Sequence, residues 1–173
     1  LHNAATSTWE TLRLISADFP AQVARLFQQA WGGTHHEILG GCEDLEKAYW
    51  RVPNAQPQFS IVAIFHPGYN QVVYYEVHGH SFGLVSSVLN FNRFPLAMCN
   101  VARAFCDVCC GSYYDDYVIV DPAYMGRSAQ WALRSIHRII GLPLQDTVGK
   151  HIPLAPKFVF LGVECDFSMF TQG

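Results

Sequence analysis

Two adjacent aspartates interrupt a stretch that otherwise has strand character, and this constrains the fold more than any other feature of the sequence. The stretch reads Ser-Tyr-Tyr-Asp-Asp-Tyr-Val-Ile-Val over residues 112–120. Aspartate has poor strand propensity and two neighbouring carboxylates repel each other, so Asp115 and Asp116 are best placed at a tight turn. The pattern therefore predicts a β-hairpin with both carboxylates at its tip.

An acidic hairpin tip has two interpretations. Most isolated Asp-Asp pairs are ordinary solvated turns. Alternatively, the pair contributes to a site for a divalent cation, because Mg²⁺ takes oxygen ligands and usually needs more than one carboxylate nearby. The second interpretation requires another acidic group elsewhere in the chain.

Asp44 supplies that second acidic group. The segment Ile38–Asp44 has an apolar start and an acidic end, which suits a strand that ends at Asp44. If this strand lies beside the hairpin, three carboxylates converge and repel each other unless cations lie between them. Two Mg²⁺ ions ~4 Å apart would offset the repulsion and would support nucleotidyl transfer or phosphodiester cleavage.

The other segments alternate between helix and strand. We expect a first helix over residues 21–30, which follows Asp18 and stops at Gly32-Gly33, and a second over 86–110 with a kink or break at Pro95. A third helix should run from Asp121-Pro122 to Ile140, with Gly141 following. Strands are expected over residues 60–65, 71–77 and 157–164. Hairpins mixed with helices predict an α+β fold, an antiparallel sheet with helices packed on one face, in a single structural domain.

Composition limits the partners and the compartment. The net charge is -3, which taken alone argues against a nucleic-acid binder, although a metal-dependent active site is itself acidic. The six cysteines lack the spacing of a secreted disulfide framework, and Cys106/Cys109 is only half of a zinc site. The sequence shows no signal peptide and no membrane span, so we expect an intracellular protein, cytoplasmic or nuclear, with no membrane partner.

Five short motifs in this order resemble those of the reverse transcriptase palm. They are Asp44-Leu-Glu-Lys-Ala-Tyr49, Ser81-Phe-Gly-Leu-Val-Ser-Ser-Val-Leu-Asn-Phe91, Tyr113-Tyr-Asp-Asp116, Gly141-Leu-Pro-Leu144 through Lys150, and Phe160-Leu-Gly162. The third is moderately specific, and the others are weak when taken singly. Their conjunction in family order carries the resemblance.

The resemblance implies a role for each matching residue. The catalytic carboxylates would be Asp44, Asp115 and Asp116. The same three side chains and the backbone carbonyl of Leu45 would be the ligands of two Mg²⁺ ions, for which Mn²⁺ could substitute. Tyr49 would exclude a 2′-hydroxyl and so select dNTPs. The remaining implied contacts are with the nucleotide, through Phe82, Gly83 and Lys150, and with the primer end, through Phe160, Leu161 and Gly162.

The resemblance also implies the activity and the domain organisation. We expect an RNA-directed DNA polymerase of a retroelement that adds dNTPs to the 3′-hydroxyl of a primer on an RNA or DNA template. Residues 1–37 would be a remnant of the fingers and residues 38–173 the palm of a longer protein, so this piece alone is expected to be inactive. The alternatives are a decayed or truncated palm without activity, an acidic metal-dependent nuclease, and a structural domain with a solvated turn.

Overall fold

The computed structural model of the protein describes residues 10–32 and 34–168. Gly33, part of the predicted helix stop, lies outside these residues. The chain divides into two compact units. Lys47–Phe91 form most of the first unit, and the second contains Leu12–Glu46 together with the chain from Asn92 onward. The predicted boundary between fingers and palm at residues 37 and 38 stays a prediction.

Three α-helices and eight strands make up the described part of the chain. In chain order they are α1 (Phe19–Ala30), β1 (Ile38–Asp44), β2 (Ile61–His66), β3 (Gln71–Glu76), α2 (Val85–Cys106), β4 (Cys110–Tyr113), β5 (Asp116–Pro122), α3 (Ser128–Ile139), β6 (Ile152–Ala155), β7 (Lys157–Phe160) and β8 (Val163–Asp166). Short 3₁₀ helices lie at Ala48–Arg51, Pro57–Phe59 and Ala123–Met125. The predicted α+β class with antiparallel sheets is confirmed.

The second unit is built on a four-stranded antiparallel sheet in the order β4-β5-β1-β6. Strand β1 pairs with β5 along its whole length, from Ile38 opposite Pro122 to Asp44 opposite Asp116. Both strands are almost fully buried, because the sheet is covered on both faces. The strand ending at Asp44 and the hairpin beside it form as predicted.

Helices cover both faces of this sheet, so the prediction that they pack on one face is wrong. Val118 and Val120 of β5 pack in a core with Ala24 of α1 and with aromatic side chains of the β7–β8 hairpin. Tyr117 points to the opposite face, because successive strand residues alternate. There its ring meets His137 of α3, with ring centroids 4.8 Å apart.

Several element boundaries differ from the predictions. Asp121 and Pro122 end β5, so α3 begins only at Ser128. Helix α2 contains Pro95 and ends at Cys106, because Asp107 adopts a left-handed φ of 52° and the chain then enters β4. The predicted strand over 157–164 is two strands joined by Leu161-Gly162, whose φ angles of 50° and 76° form a tight hairpin turn.

The first unit contains the β2–β3 hairpin, which was also predicted. Ile61 lies opposite Glu76 and His66 opposite Gln71, and the turn between the strands includes Asn70 with a φ of 48°.

Among the helices of residues 10–32 and 34–168, none combines the length and hydropathy that crossing a membrane requires.

Candidate functional site

The acidic residues of the second unit meet where β1 ends and β5 begins. Asp44 and Asp116 are directly opposite each other across the two antiparallel strands. Asp115 lies in the turn before Asp116, and its carbonyl accepts a hydrogen bond from the Leu45 amide at 3.1 Å. The predicted approach of the Asp44 strand to the Asp115-Asp116 hairpin is therefore present in the structure.

The hairpin turn itself differs by one residue from the predicted one. Tyr114 and Asp115 form the turn, with Tyr114 at a φ of 54°, whereas Asp116 is the first residue of β5. Asp115 and Asp116 are half-buried, and Asp44 is only 3% exposed. The three carboxylates are thus more shielded than those of an ordinary solvated turn.

The Asp44 carboxylate is held by two side chains from the segment that precedes β6. Lys150 Nζ donates to Asp44 Oδ2 at 2.6 Å, and the Gln145 side-chain amide donates to Asp44 Oδ1. The Gln145 backbone amide also donates to the Asp44 carbonyl at 2.8 Å. The predicted nucleotide contact Lys150 is therefore a direct ion-pair partner of the first acidic residue.

Burial and mutual repulsion shift the pKa of the groups in this cluster. Burial raises the pKa of Asp115, and the Asp44 carboxylate adds to the rise while Lys150 opposes it. Burial together with the Asp115 and Asp44 carboxylates raises the pKa of Asp116 to about 6. The hydrogen bond to Asp44 raises the pKa of Lys150, so its ammonium stays protonated. The cluster thus favours the binding of positive charge.

A second ionic cluster lies on the other face of β1, at Glu43. This carboxylate is 1% exposed and accepts hydrogen bonds from Gln130 at 2.8 Å and from Arg134 at 2.5 Å. His151 Nδ1 lies 2.9 Å from the same carboxylate. Burial raises the pKa of Glu43, and the Arg134 and His151 charges oppose that rise.

An open cleft of about 380 Å³ joins the acidic residues to the β7–β8 turn. Asp44, Asp116 and Lys150 line one part of it, and the predicted primer-grip segment Phe160–Gly162 lines another. Phe160 is buried in the core, whereas Leu161 and Gly162 form the turn. Residues from four of the five motifs therefore share one cleft of the second unit.

The predicted sugar and base contacts lie in the first unit. The ring of Tyr49 is 5.0 Å from that of Phe82 and 4.4 Å from that of Phe91, measured between centroids. Phe82 is 64% exposed and so presents a free aromatic surface. Gly83 has a φ of 83°, and an added Cβ would meet nothing within 4 Å, so its backbone conformation rather than a close approach favours glycine there.

Metal binding remains an expectation for this site. Within residues 10–32 and 34–168, no three His, Cys, Asp or Glu side chains are arranged as a metal-binding group. Asp44 has both carboxylate oxygens engaged by Gln145 and Lys150. The roles of Leu45, Asp115 and Asp116 as ligands of two Mg²⁺ ions, or of Mn²⁺, stay predictions.

Sequence reasoning missed four residues that contact the acidic strand. They are Gln130, Arg134, Gln145 and His151. One of them, His151, lies opposite Glu43 in the register that pairs Cys42 with Ile152, and it was missed because strand β6 was not predicted. Finding Gln130 and Arg134 required knowing that α3 packs on the Glu43 face, and finding Gln145 required knowing the path of the segment before β6.

Comparison with known proteins gives no family assignment. No protein-family model matches the chain, and no curated protein sequence matches it significantly. The functional argument therefore depends on the geometry of the site and on the motif resemblance.

Proposed function

We propose that the chain contains the catalytic palm of an RNA-directed DNA polymerase similar to reverse transcriptases. One observation carries the proposal: Asp44 at the end of β1 lies opposite Asp116, with Asp115 in the adjoining turn and hydrogen-bonded to Leu45 through its carbonyl. This arrangement concentrates three carboxylates from two distant motifs at one end of an antiparallel sheet. Such a concentration is what nucleotidyl transfer with bound cations requires.

Carboxylate and carbonyl oxygens are the kind of donor that hard divalent cations take. Carboxylate oxygens of Asp44, Asp115 and Asp116 and the Leu45 carbonyl would hold them. Burial raises the pKa of Asp116 to about 6, the Asp115 and Asp44 carboxylates add to the rise, and Lys150 opposes it, so a bound cation would favour the ionised form. Bound Mg²⁺ would activate the primer 3′-hydroxyl and stabilise the charge that develops on the phosphate oxygens. The protein's own contribution is to place these oxygens on rigid strands.

Lys150 and the β7–β8 turn complete the proposed site. The Lys150 ammonium is half-exposed in the cleft, where it would meet the phosphates of an incoming dNTP. Leu161 and Gly162 border the same cleft and would contact the primer end. RNA or DNA template with its primer is the proposed partner.

The nucleotide would also be bound by Tyr49, Phe82 and Gly83, as the resemblance implies. The contact of Tyr49 with Phe82 and the exposure of Phe82 support a stacking surface in the first unit. Exclusion of the 2′-hydroxyl by Tyr49 rests on the resemblance alone.

The Lys150 contact also favours one alternative, a palm-like domain that does not polymerise. An ammonium 2.6 Å from Asp44 already offsets part of the charge of the cluster. In such a domain the Asp44–Lys150 ion pair would neutralise the cluster permanently, whereas in a polymerase it would give way when cations bind. Cation binding by the chain distinguishes the two functions.

The first experiment measures Mn²⁺ binding by electron paramagnetic resonance at neutral pH, in the wild-type chain and in Asp115→Asn. Removing one carboxylate should weaken binding at least about tenfold. Asp107→Asn is the matched control, because Asp107 is exposed, outside the site, and at a φ that asparagine tolerates. Equal binding by wild type and Asp115→Asn would overturn the proposal, and absence of binding would favour the non-polymerising domain.

The second readout is Mg²⁺-dependent primer extension by a longer polypeptide containing this chain. Extension should be abolished by Asp115→Asn and retained by Asp107→Asn. Extension that survives Asp115→Asn would contradict the assignment of the catalytic carboxylates.

A further inference from the structure

An ion pair and a neighbouring polar contact connect β1 to the segment before β6. Asp44 pairs with Lys150, and Glu43 lies 2.9 Å from His151. These pairs continue the antiparallel register in which Cys42 lies opposite Ile152. Because neighbouring strand residues alternate between faces, one pair lies on the cleft side of the sheet and the other on the α3 side.

The pair on the α3 side belongs to a larger and more buried network. The Glu43 side chain is fully buried, and Gln130 and Arg134 of α3 both donate to it. Gln130 also donates to the Ile152 carbonyl at 3.0 Å and accepts from the Leu154 amide at 3.2 Å. Through Gln130, Glu43 is thereby connected to Ile152 and Leu154 of β6 as well as to α3.

Arg134 extends this network to the segment that contacts Asp44. It forms an ion pair with Asp146 and donates to the Gln145 carbonyl at 3.4 Å. Gln145 in turn donates to Asp44 from both its backbone and its side chain. A chain of direct contacts therefore runs from buried Glu43, through Arg134, to a hydrogen-bond donor of the Asp44 carboxylate.

A buried carboxylate with this number of charged and polar partners fixes geometry more than it adds stability. The free-energy cost of desolvating the ions offsets most of their attraction, so such networks persist where they set a particular arrangement. Here the arrangement is the path of residues 145–151, which could otherwise pair with the end of β1 in a different register.

We propose that Glu43 and Arg134 are positioning residues that hold Gln145 and Lys150 against Asp44. The network grips the segment from the α3 side, so that its other side presents one amide and one ammonium to the acidic cluster. The inference rests on the proposed function only for the role of Lys150 at the nucleotide phosphates. Its structural content concerns the Asp44–Lys150 contact and is tested without polymerisation.

The test is a double-mutant cycle in two backgrounds. Asp44→Asn, Lys150→Met and the double variant are prepared in the wild type and in Glu43→Gln, and each is unfolded in urea. In the wild type the two sites should be coupled by about fivefold in the unfolding equilibrium constant, as expected for residues in contact. In the Glu43→Gln background the coupling should fall below about twofold, because Lys150 is no longer held at Asp44.

A purely structural role of Glu43 would give a different result. It would lower the stability of every variant in the Glu43→Gln series and leave the coupling at about fivefold, which would overturn the proposal. Glu164→Gln is the matched control, since Glu164 is exposed on β8, and its background should keep the full coupling.

If Glu43→Gln does not fold, His151→Asn tests the same idea. His151 is about one-third exposed, and its replacement leaves the Glu43–Arg134 pair in place while it removes the direct contact of Glu43 with the segment before β6, together with a 3.3 Å contact between His151 and Arg134. The Asp44–Lys150 coupling should again decrease. Unchanged coupling in this background would contradict the proposal.

Discussion

Asp121 is a buried carboxyl that the proposed chemistry does not use. It is 6% exposed at the end of β5, and it accepts a hydrogen bond from the Ala129 amide in the first turn of α3. Its Oδ2 is buried and has no hydrogen-bond partner among residues 10–32 and 34–168. Burial raises the pKa of Asp121 to about 6, so the folded protein favours the protonated acid.

Asp121→Asn should therefore stabilise the protein at neutral pH. The stability that protonated Asp121 contributes is present below its ordinary pKa of 3.8 and is lost as the pH rises through about 6. Asparagine keeps the acceptor for Ala129 without the charge, so the unfolding free energy at pH 7 should rise by up to about 3 kcal/mol, with little difference near pH 4.

Urea unfolding at several pH values measures this effect. Asp121→Ala is the comparison, because it removes the charge and the helix-capping acceptor together and should be roughly 1 kcal/mol less stable than Asp121→Asn. A lower unfolding free energy of Asp121→Asn than of wild type at pH 7 would show that the ionised carboxylate stabilises the fold.

At the scale of single residues, the sequence predicts the acidic cluster better than its surroundings. Asp44 and the Asp115-Asp116 pair are recognisable because aspartate has poor strand propensity and neighbouring carboxylates repel each other, so their place at strand ends is informative. The partners of Glu43 were not predictable, because Arg134 and His151 come from an α-helix and a loop far along the chain. Which face of β1 each element covers is decided by tertiary packing.

At the scale of elements, two glycines decide how closely β1 is packed. A Cβ on Gly40 would lie 2.0 Å from the Phe158 ring, and one on Gly41 would lie 2.6 Å from the Ile152 carbonyl oxygen and 3.0 Å from the Leu154 amide. Backbone atoms of a paired strand cannot move aside cheaply. Gly41 therefore allows β6 to approach β1 and brings Lys150 within reach of Asp44.

Gly41→Ala should destabilise the second unit by about 1–3 kcal/mol, the range typical of overpacking. Gly68→Ala is the matched control, since Gly68 is exposed between β2 and β3 and its Cβ would meet two atoms of the His66 ring, at 3.2 and 3.4 Å. Urea unfolding followed by circular dichroism compares the two. Equal stabilities would mean that β6 shifts without cost.

The prediction of elements succeeded where local patterns dominate. Helix α1 has a start signal at Asp18 and a glycine stop, strand β1 has an apolar start and an acidic end, and the β2–β3 hairpin has two apolar runs separated by turn residues. The start of α3 was wrong because Asp121-Pro122 resembles a helix start but is needed to extend β5 opposite Ile38. Strand β6 is short and contains Pro153, and only its place at the sheet edge beside β1 makes it a strand.

At the scale of the whole molecule, the first unit exposes an unusual amount of apolar surface. Large side chains on both faces of the β2–β3 hairpin are between 43% and 70% exposed: Ile61, Val62, Ile64, Phe65, Val72, Tyr74 and Tyr75. The net charge of -3 supplies little repulsion between molecules. A hairpin this apolar, with Glu76 as its one carboxylate, favours association between chains.

We therefore predict that the chain self-associates at micromolar concentrations and that the hairpin causes it. Tyr74→Lys together with Tyr75→Glu places one charge on each face, since the two residues are neighbours in β3. Sedimentation velocity should show the wild type shifting to larger species with concentration, more so in sulfate, which strengthens apolar contacts, while the variant stays monomeric. Its unfolding free energy should change by no more than about 1 kcal/mol, because both side chains are exposed.

The matched control changes two other neighbouring exposed side chains, Tyr124→Lys together with Met125→Glu, in the second unit. It introduces the same two charges and leaves the net charge of the chain equal to that of the hairpin variant. Because the β2–β3 hairpin is intact in it, this control should associate as the wild type does. Loss of association in both variants would attribute the effect to added charge in general, and a monomeric wild type would show that the exposed hairpin alone does not drive association.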